Sequence, residues 1–227
     1  MIHQEVLPPP RCLARPLTIT VWSQRDYDIV QTLTLRVRLL AITQAVSIWW
    51  PGQRTERNAR RRLRRLVLAG LLERYIVNAH PLLAPAKPLA CWQPQQPPPD
   101  AYALSLRARS RWKQSAAPLE VFAASKKSAN LFGSEAHGLP KLEQRDHDLL
   151  LADAYVAHRK AGSKAQNWIG ENFLPKAGFQ IKDPDAFFTD EHGHIVHVIE
   201  SAGRYSPKQI ATFHDHCDSL NFSYELW

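Results

Sequence analysis

The sequence predicts an α+β protein in two parts, and three observations carry that expectation. From Arg25 onward apolar residues recur at spacings of three and four, as helices require. Near Leu71 a run of β-branched and aromatic residues takes over. After about residue 113 strand-like and helix-like segments alternate, the pattern of a sheet covered by helices. A 227-residue chain that is 44% hydrophobic, with seven tryptophans, has enough apolar material for one large core or two small ones.

Residues 1–24 carry "PPP", a further Pro16 and the short β-prone run "LTITVW", and read as an arm that adds a strand. The first helix is expected over 25–39, with Ile29, Val30, Leu33, Val37 and Leu40 on its apolar face. Thr43 is the expected N-cap of a second, short helix, "QAVSIWW", which Pro51 and Gly52 end. A third runs from Thr55 to Ala69, stopped by Gly70. "LLERYIVNAH" then reads as a strand, and "PLACW" as the strand returning beside it.

Three helices followed by a β-ribbon is the order of a winged helix-turn-helix, assigned to residues 25–80. The proline-rich stretch 81–112 is a wing or connector, with a helix-compatible segment at "AYALSLRARSRWKQ". Residues 113–227 form the second part: strand "LEVFAAS", helix "DHDLLLADAYVAHR", strands "DAFF" and "HIVHVIES", helix "SPKQIATFHDHCDSL" and the closing strand "FSYELW".

The net charge of +8 asks for an anionic partner. "RRRLRRL", residues 60–66, concentrates that charge on the third helix. At about 100° per residue, Arg57, Arg60, Arg61 and Arg64 fall in one stripe, opposite Ala59, Leu63, Leu66 and Val67. Glu56 is the only acid on this helix, so it lacks the mixed charges of an ordinary solubilising surface. In a helix-turn-helix the element after the tight turn enters the major groove of DNA. Arg54, Arg57, Arg60, Arg61, Arg64, Arg65 and Arg74 are therefore the expected DNA-binding residues, with Tyr75 and His80 on the wing and Arg107, Arg109, Arg111 and Lys113 extending the basic character.

In the second part, Pro184 and Asp185 open one strand and Glu200 ends the next, across the turn "DEHGH". This resembles the core of the PD-(D/E)xK nuclease superfamily, a restriction-endonuclease-like α/β fold. That resemblance implies Asp185 and Glu200 as ligands of Mg²⁺ and as catalytic residues. The usual lysine is replaced by Ala202, which cannot stabilise an attacking water or developing phosphate charge. Lys208 and Lys182 are the substitutes on offer.

Taken together, "LRRLVLAGLLER", "HDLLLADAYV", "PDAFF" and "HVIES" resemble the replication-relaxation family of bacterial mobile-element and plasmid proteins. That likeness implies duplex DNA binding by the first part. The nuclease-like part is then expected to be inactive, a platform for a partner, a second copy or a further DNA contact, and no cofactor is required. Two alternatives stand beside it: a Mg²⁺-dependent DNA nuclease using Asp185, Glu200 and a relocated lysine, and a winged-helix transcription regulator.

Other signals are weaker. Cys12, Cys91 and Cys217 are odd in number and widely spaced, which suggests a reducing, cytoplasmic setting. Neither a membrane span nor a signal peptide is expected. His192, His194, His197, His214, His216 and Cys217 lack the spacing of a zinc site. The adjacent Trp49 and Trp50 are not both expected to point inward, and "LFGSEAHG" matches no nucleotide-binding glycine motif.

Overall fold

A computed structural model describes residues 22–52, 55–80, 87–135, 138–162, 167–170 and 184–227. The protein is α+β, with two sheets among these residues. The chain forms two compact units, each assembled from discontinuous segments: 1–79 with 116–152, and 80–115 with 153–227. The expected strand of the N-terminal arm lies outside the described residues.

In the first unit, α1 (Gln24–Leu35) starts at Ser23, whose hydroxyl accepts the Asp26 N–H while the Asp26 carboxylate accepts the Ser23 N–H at 2.8 Å. This reciprocal capping box satisfies two donors that a helix start leaves open. The helix ends four residues before the expected 39. Leu40–Ala41 instead forms β1, because Leu40 and Ala41 pair with a distant strand. All five residues of the expected apolar face are nonetheless buried, since the extended segment after α1 turns the same side chains inward.

The second helix, α2 (Ile42–Trp49), is capped by Ala41 rather than Thr43, which is exposed. Gln44 does the work: its side-chain oxygen accepts the Ala41 N–H at 2.8 Å and its nitrogen donates to the Leu149 carbonyl at 2.9 Å. Trp49 and Trp50 are both buried, at 7% and 8% exposure. The expectation that only one could face inward assumed a continuous helix, but Trp50 lies past its end at φ −136°, ψ 58°, where side-chain direction no longer follows the helical period.

After α3 (Thr55–Leu68) comes β2 (Leu72–Ala79). Its partner is not "PLACW" but β4 (Ala117–Ala124), along eight antiparallel pairs from Leu72 opposite Ala124 to Ala79 opposite Ala117. The sheet order is β1-β4-β2. The segment "LEVFAAS", expected to open the second part, thus completes the first. Eight ladder pairs and a buried Glu120–Ala124 run outweigh what a three-residue strand could offer β2. α5 (Lys126–Phe132), which the sequence did not suggest, and the first turns of α6 (Leu142–Lys160) complete the unit.

The second unit has sheet order β3-β8-β7-β6-β5, from β3 (Ala90–Trp92), β5 (Trp168–Gly170), β6 (Ala186–Thr189), β7 (Ile195–Glu200) and β8 (Ser223–Leu226). Only β7 and β8 run parallel, joined through α7 (Pro207–Ser219). One sheet face, with Phe187, Val198, Tyr224 and Leu226, packs on Leu104 and Ala108 of α4 (Ala101–Ser110) and on Ile210 and Cys217 of α7. The strand β5 was missing from the sequence reading because three residues, "WIG", show no alternation to detect. No helix among the described residues is long and apolar enough to cross a membrane.

Candidate nucleic-acid interface

The arginine helix α3 is held by its apolar side and its C-terminal end. Ala59, Leu63 and Leu66 are 0–1% exposed, while Val67 is half-buried. Gly70 takes the left-handed conformation (φ +72°), so that the Leu71 N–H reaches the Leu66 carbonyl and the Gly70 N–H the Val67 carbonyl, both at 2.9 Å. This closure fills helix-end carbonyls, and Leu71 just beyond it is buried, at 2% exposure. Lys127 Nζ donates to the Ala69 carbonyl at 3.0 Å and Ser125 Oγ to that of Gly70 at 2.6 Å, so α5 braces the same turn.

The six arginines of α3 separate into two groups. Arg57, Arg61, Arg64 and Arg65 are exposed, and none has an acid partner among the described residues. Arg61 alone makes a long contact, donating to Asn58 at 3.4 Å. Arg60 and Arg62, at the flanks, are tied down. Arg60 reaches Glu56 at 2.8 Å and Glu120 at 2.7 Å, and Arg74 of β2 meets the other Glu120 oxygen at 2.5 Å. Burial works against the Glu120 charge, but hydrogen bonds from Arg74 and Arg60 outweigh it and hold its carboxyl below the usual range. On the other flank Arg62 forks onto Asp26, with Nε 2.6 Å from Oδ1 and Nη2 on Oδ2. Asp26 is fully buried, and against that burial Arg62 and Ser23 keep its carboxyl low.

The expected site is thus partly assembled. Arg57, Arg61, Arg64 and Arg65 share the solvent face. Arg60 and Arg74 share the Glu120 carboxylate, with Glu56 also on Arg60, because the strand carrying Glu120 belongs beside β2, and Arg54 lies outside the described residues. Tyr75 donates to Glu73, and burial pushes its phenol up. Arg107 and Arg109 are exposed in the second unit, but Arg111 is 8% exposed, and burial next to Arg107 lowers its guanidinium to about 10. The roles of Asp26 and Glu120 were missed. A Ser23–Asp26 capping signal was legible; the partnership of Glu120 across 46 to 60 residues was not.

In the second unit the β6–β7 hairpin does bring Asp185 and Glu200 together: Ala186 pairs with Ile199, and Asp185 Oδ2 accepts the Ser201 N–H at 2.7 Å. Both acids are buried, at 2% and 0% exposure, and Glu200 Oε1 accepts the Tyr205 hydroxyl. Burial, with the Glu200 charge behind it, pushes the Cys217 thiol up to about 12. Ala202 is buried in the same core. Lys208 is not brought to the acids: it is exposed on the first turn of α7 and bonds to neither. Lys182 lies outside the described residues.

Among the described residues no group of three or more His, Cys, Asp or Glu side chains is arranged to hold a metal ion. His214 bonds to Tyr224 and stacks edge-on against Trp92, and His192 and His194 flank the Asp190 turn. Comparison with known families, curated proteins and solved structures finds no match to this chain.

Proposed function

We propose that the chain binds double-stranded DNA through α3, presented as the recognition helix of a winged helix-turn-helix. The order α1, β1, α2, α3, β2, β4, with β4 between β1 and β2, supports that fold assignment, and residues 80–115 would then be an insertion in the wing. The observation that carries the function is the division of charge on α3. Its solvent face keeps four guanidiniums with no acid partner among the described residues, while acids of the same unit take up the flanking pair. Guanidinium forks match phosphates and guanine edges, so such a face suits a duplex groove. Titrating a labelled duplex across a salt series tests this. Affinity should fall steeply with salt, and replacing Arg57, Arg61, Arg64 and Arg65 with alanine should abolish most binding. Unchanged affinity in that variant would remove the proposal.

For the second unit we propose a non-catalytic, restriction-endonuclease-like platform, in keeping with the replication-relaxation likeness of the sequence. The succession α6, β5, β6, β7, α7, β8 and the paired acids favour the fold, and the buried Ala202 and solvent-exposed Lys208 weigh against catalysis. Incubation with plasmid and Mg²⁺ or Mn²⁺ distinguishes platform from nuclease: cutting that is lost in Asp185→Ala or Glu200→Ala would install the enzyme reading instead. Footprinting at the chain's own promoter tests the regulator alternative.

A further inference from the structure

Beside the exposed row of α3 lies a cleft of about 380 Å³ at the N-terminal end of α1. Arg25 comes from α1, Arg61 and Arg65 from α3, and Trp50 from the end of α2. Its acid, Asp26, is already committed: Oδ1 accepts Arg62 Nε, and Oδ2 accepts Arg62 Nη2 and both the N–H and hydroxyl of Ser23. Three guanidiniums therefore converge on this space with no acid partner among the described residues. Arg25 is positioned by other means, its guanidinium carbon 5.0 Å from the Trp50 ring centroid. Stacking on a ring fixes the plane of a guanidinium while leaving its N–H donors available to an oxyanion.

We infer that this cleft, formed by Arg25, Arg61 and Arg65 against Trp50, is a phosphate-binding site that anchors the DNA backbone beside the groove occupied by α3. The inference rests on the duplex-binding reading and extends it to a residue of another helix, Arg25 of α1, thirty positions before α3 begins. Arg61 and Arg65 lie toward the α1 side of the helix, whereas Arg57 and Arg64 project from its outer face. A strand seated in the cleft would thus be gripped from two helices at once, which fixes register without reading bases. The polar lining and the volume suit a phosphodiester with its flanking sugars.

The test uses the full chain, a fluorescein-labelled duplex and two variants, Arg25→Gln and Arg64→Gln, both at exposed positions and both checked for an unchanged melting temperature. Arg25→Gln should weaken binding about tenfold, the scale of one charge-assisted contact, and equally for unrelated duplex sequences. Its slope of log K against log salt should shrink by about 0.9. Pyrophosphate should compete with the duplex for the wild type. If Arg25→Gln matches the wild type in affinity and slope while Arg64→Gln binds more weakly, the cleft assignment fails and the role of α3 survives. If neither variant nor the quadruple alanine chain differs from the wild type, the duplex reading itself fails. Pyrophosphate that binds in an Arg25-dependent way yet leaves duplex affinity unchanged overturns the backbone assignment in favour of a free phosphorylated ligand.

Discussion

The solvent face of α3 and the β6–β7 hairpin both gather charge, yet they do so in opposite circumstances. On α3 four arginines stand in water without acid partners among the described residues, so their binding capacity is unspent. On the hairpin two carboxylates are buried, one receiving the Ser201 N–H and the other the Tyr205 hydroxyl. A buried charge must be satisfied from within, because leaving it otherwise costs several kcal/mol, whereas an exposed one is held by water that a ligand can displace. Clustered charge in a sequence therefore stands open to solvent in one place and is enclosed by the fold in another, and burial decides which.

The comparison can be broken most sharply at the exposed row. Replacing Arg57, Arg61, Arg64 and Arg65 with alanine should weaken duplex binding at least about a hundredfold and reduce the salt slope by roughly 3 to 4, with little change in melting temperature; anisotropy and calorimetry read the two effects separately. Next comes the flank. Arg62→Ala strands the fully buried Asp26 carboxylate and should cost about 3 kcal/mol of stability, seen in urea unfolding. A loss below about 0.5 kcal/mol would mean that this pair does not hold α1 to α3.

On the hairpin, Glu200→Ala should destabilise the protein by about 1 to 3 kcal/mol, through the Tyr205 hydroxyl left without its acceptor, and leave duplex affinity unchanged. Weaker DNA binding in that variant would blur the contrast between the regions. A smaller effect is expected at Glu120, whose charge offsets Arg60 and Arg74. Glu120→Gln should tighten duplex binding about threefold at low salt.

Acid provides the last test. Asp26 and Glu120 have carboxyls held below their ordinary values in the folded protein, so the unfolded chain takes up protons first as pH falls. Their stabilisation is complete above the ordinary carboxylate range and is lost as pH drops through their depressed values. Melting temperature should decline below about pH 4.5, and more gently in an Asp26→Asn variant; a curve that rises on acidification would contradict both ion pairs.

The positions of α3 and α7 and the pairing of Asp185 with Glu200 could be read from the chain, because helical period, the Gly70 stop and a hairpin flanked by two acids are local signals. The short elements could not: β1 has two residues, β5 three, and neither length sustains a period. The partner of β2 was misread for a related reason. Nearness in sequence favoured "PLACW", while the ladder formed with residues 117–124, beyond an intervening 80–115 that belongs to the other unit.

By itself, then, the sequence determined which faces are oily, where helices end, and that arginine crowds one surface of α3, since each of these follows from backbone geometry over a few neighbouring residues. Tertiary structure alone decided which arginines remain available. Glu120 and Asp26 reach the committed ones, Arg60, Arg74 and Arg62, from 36 to 60 positions away, and ion pairing depends on a few ångströms of space that no spacing along the chain encodes.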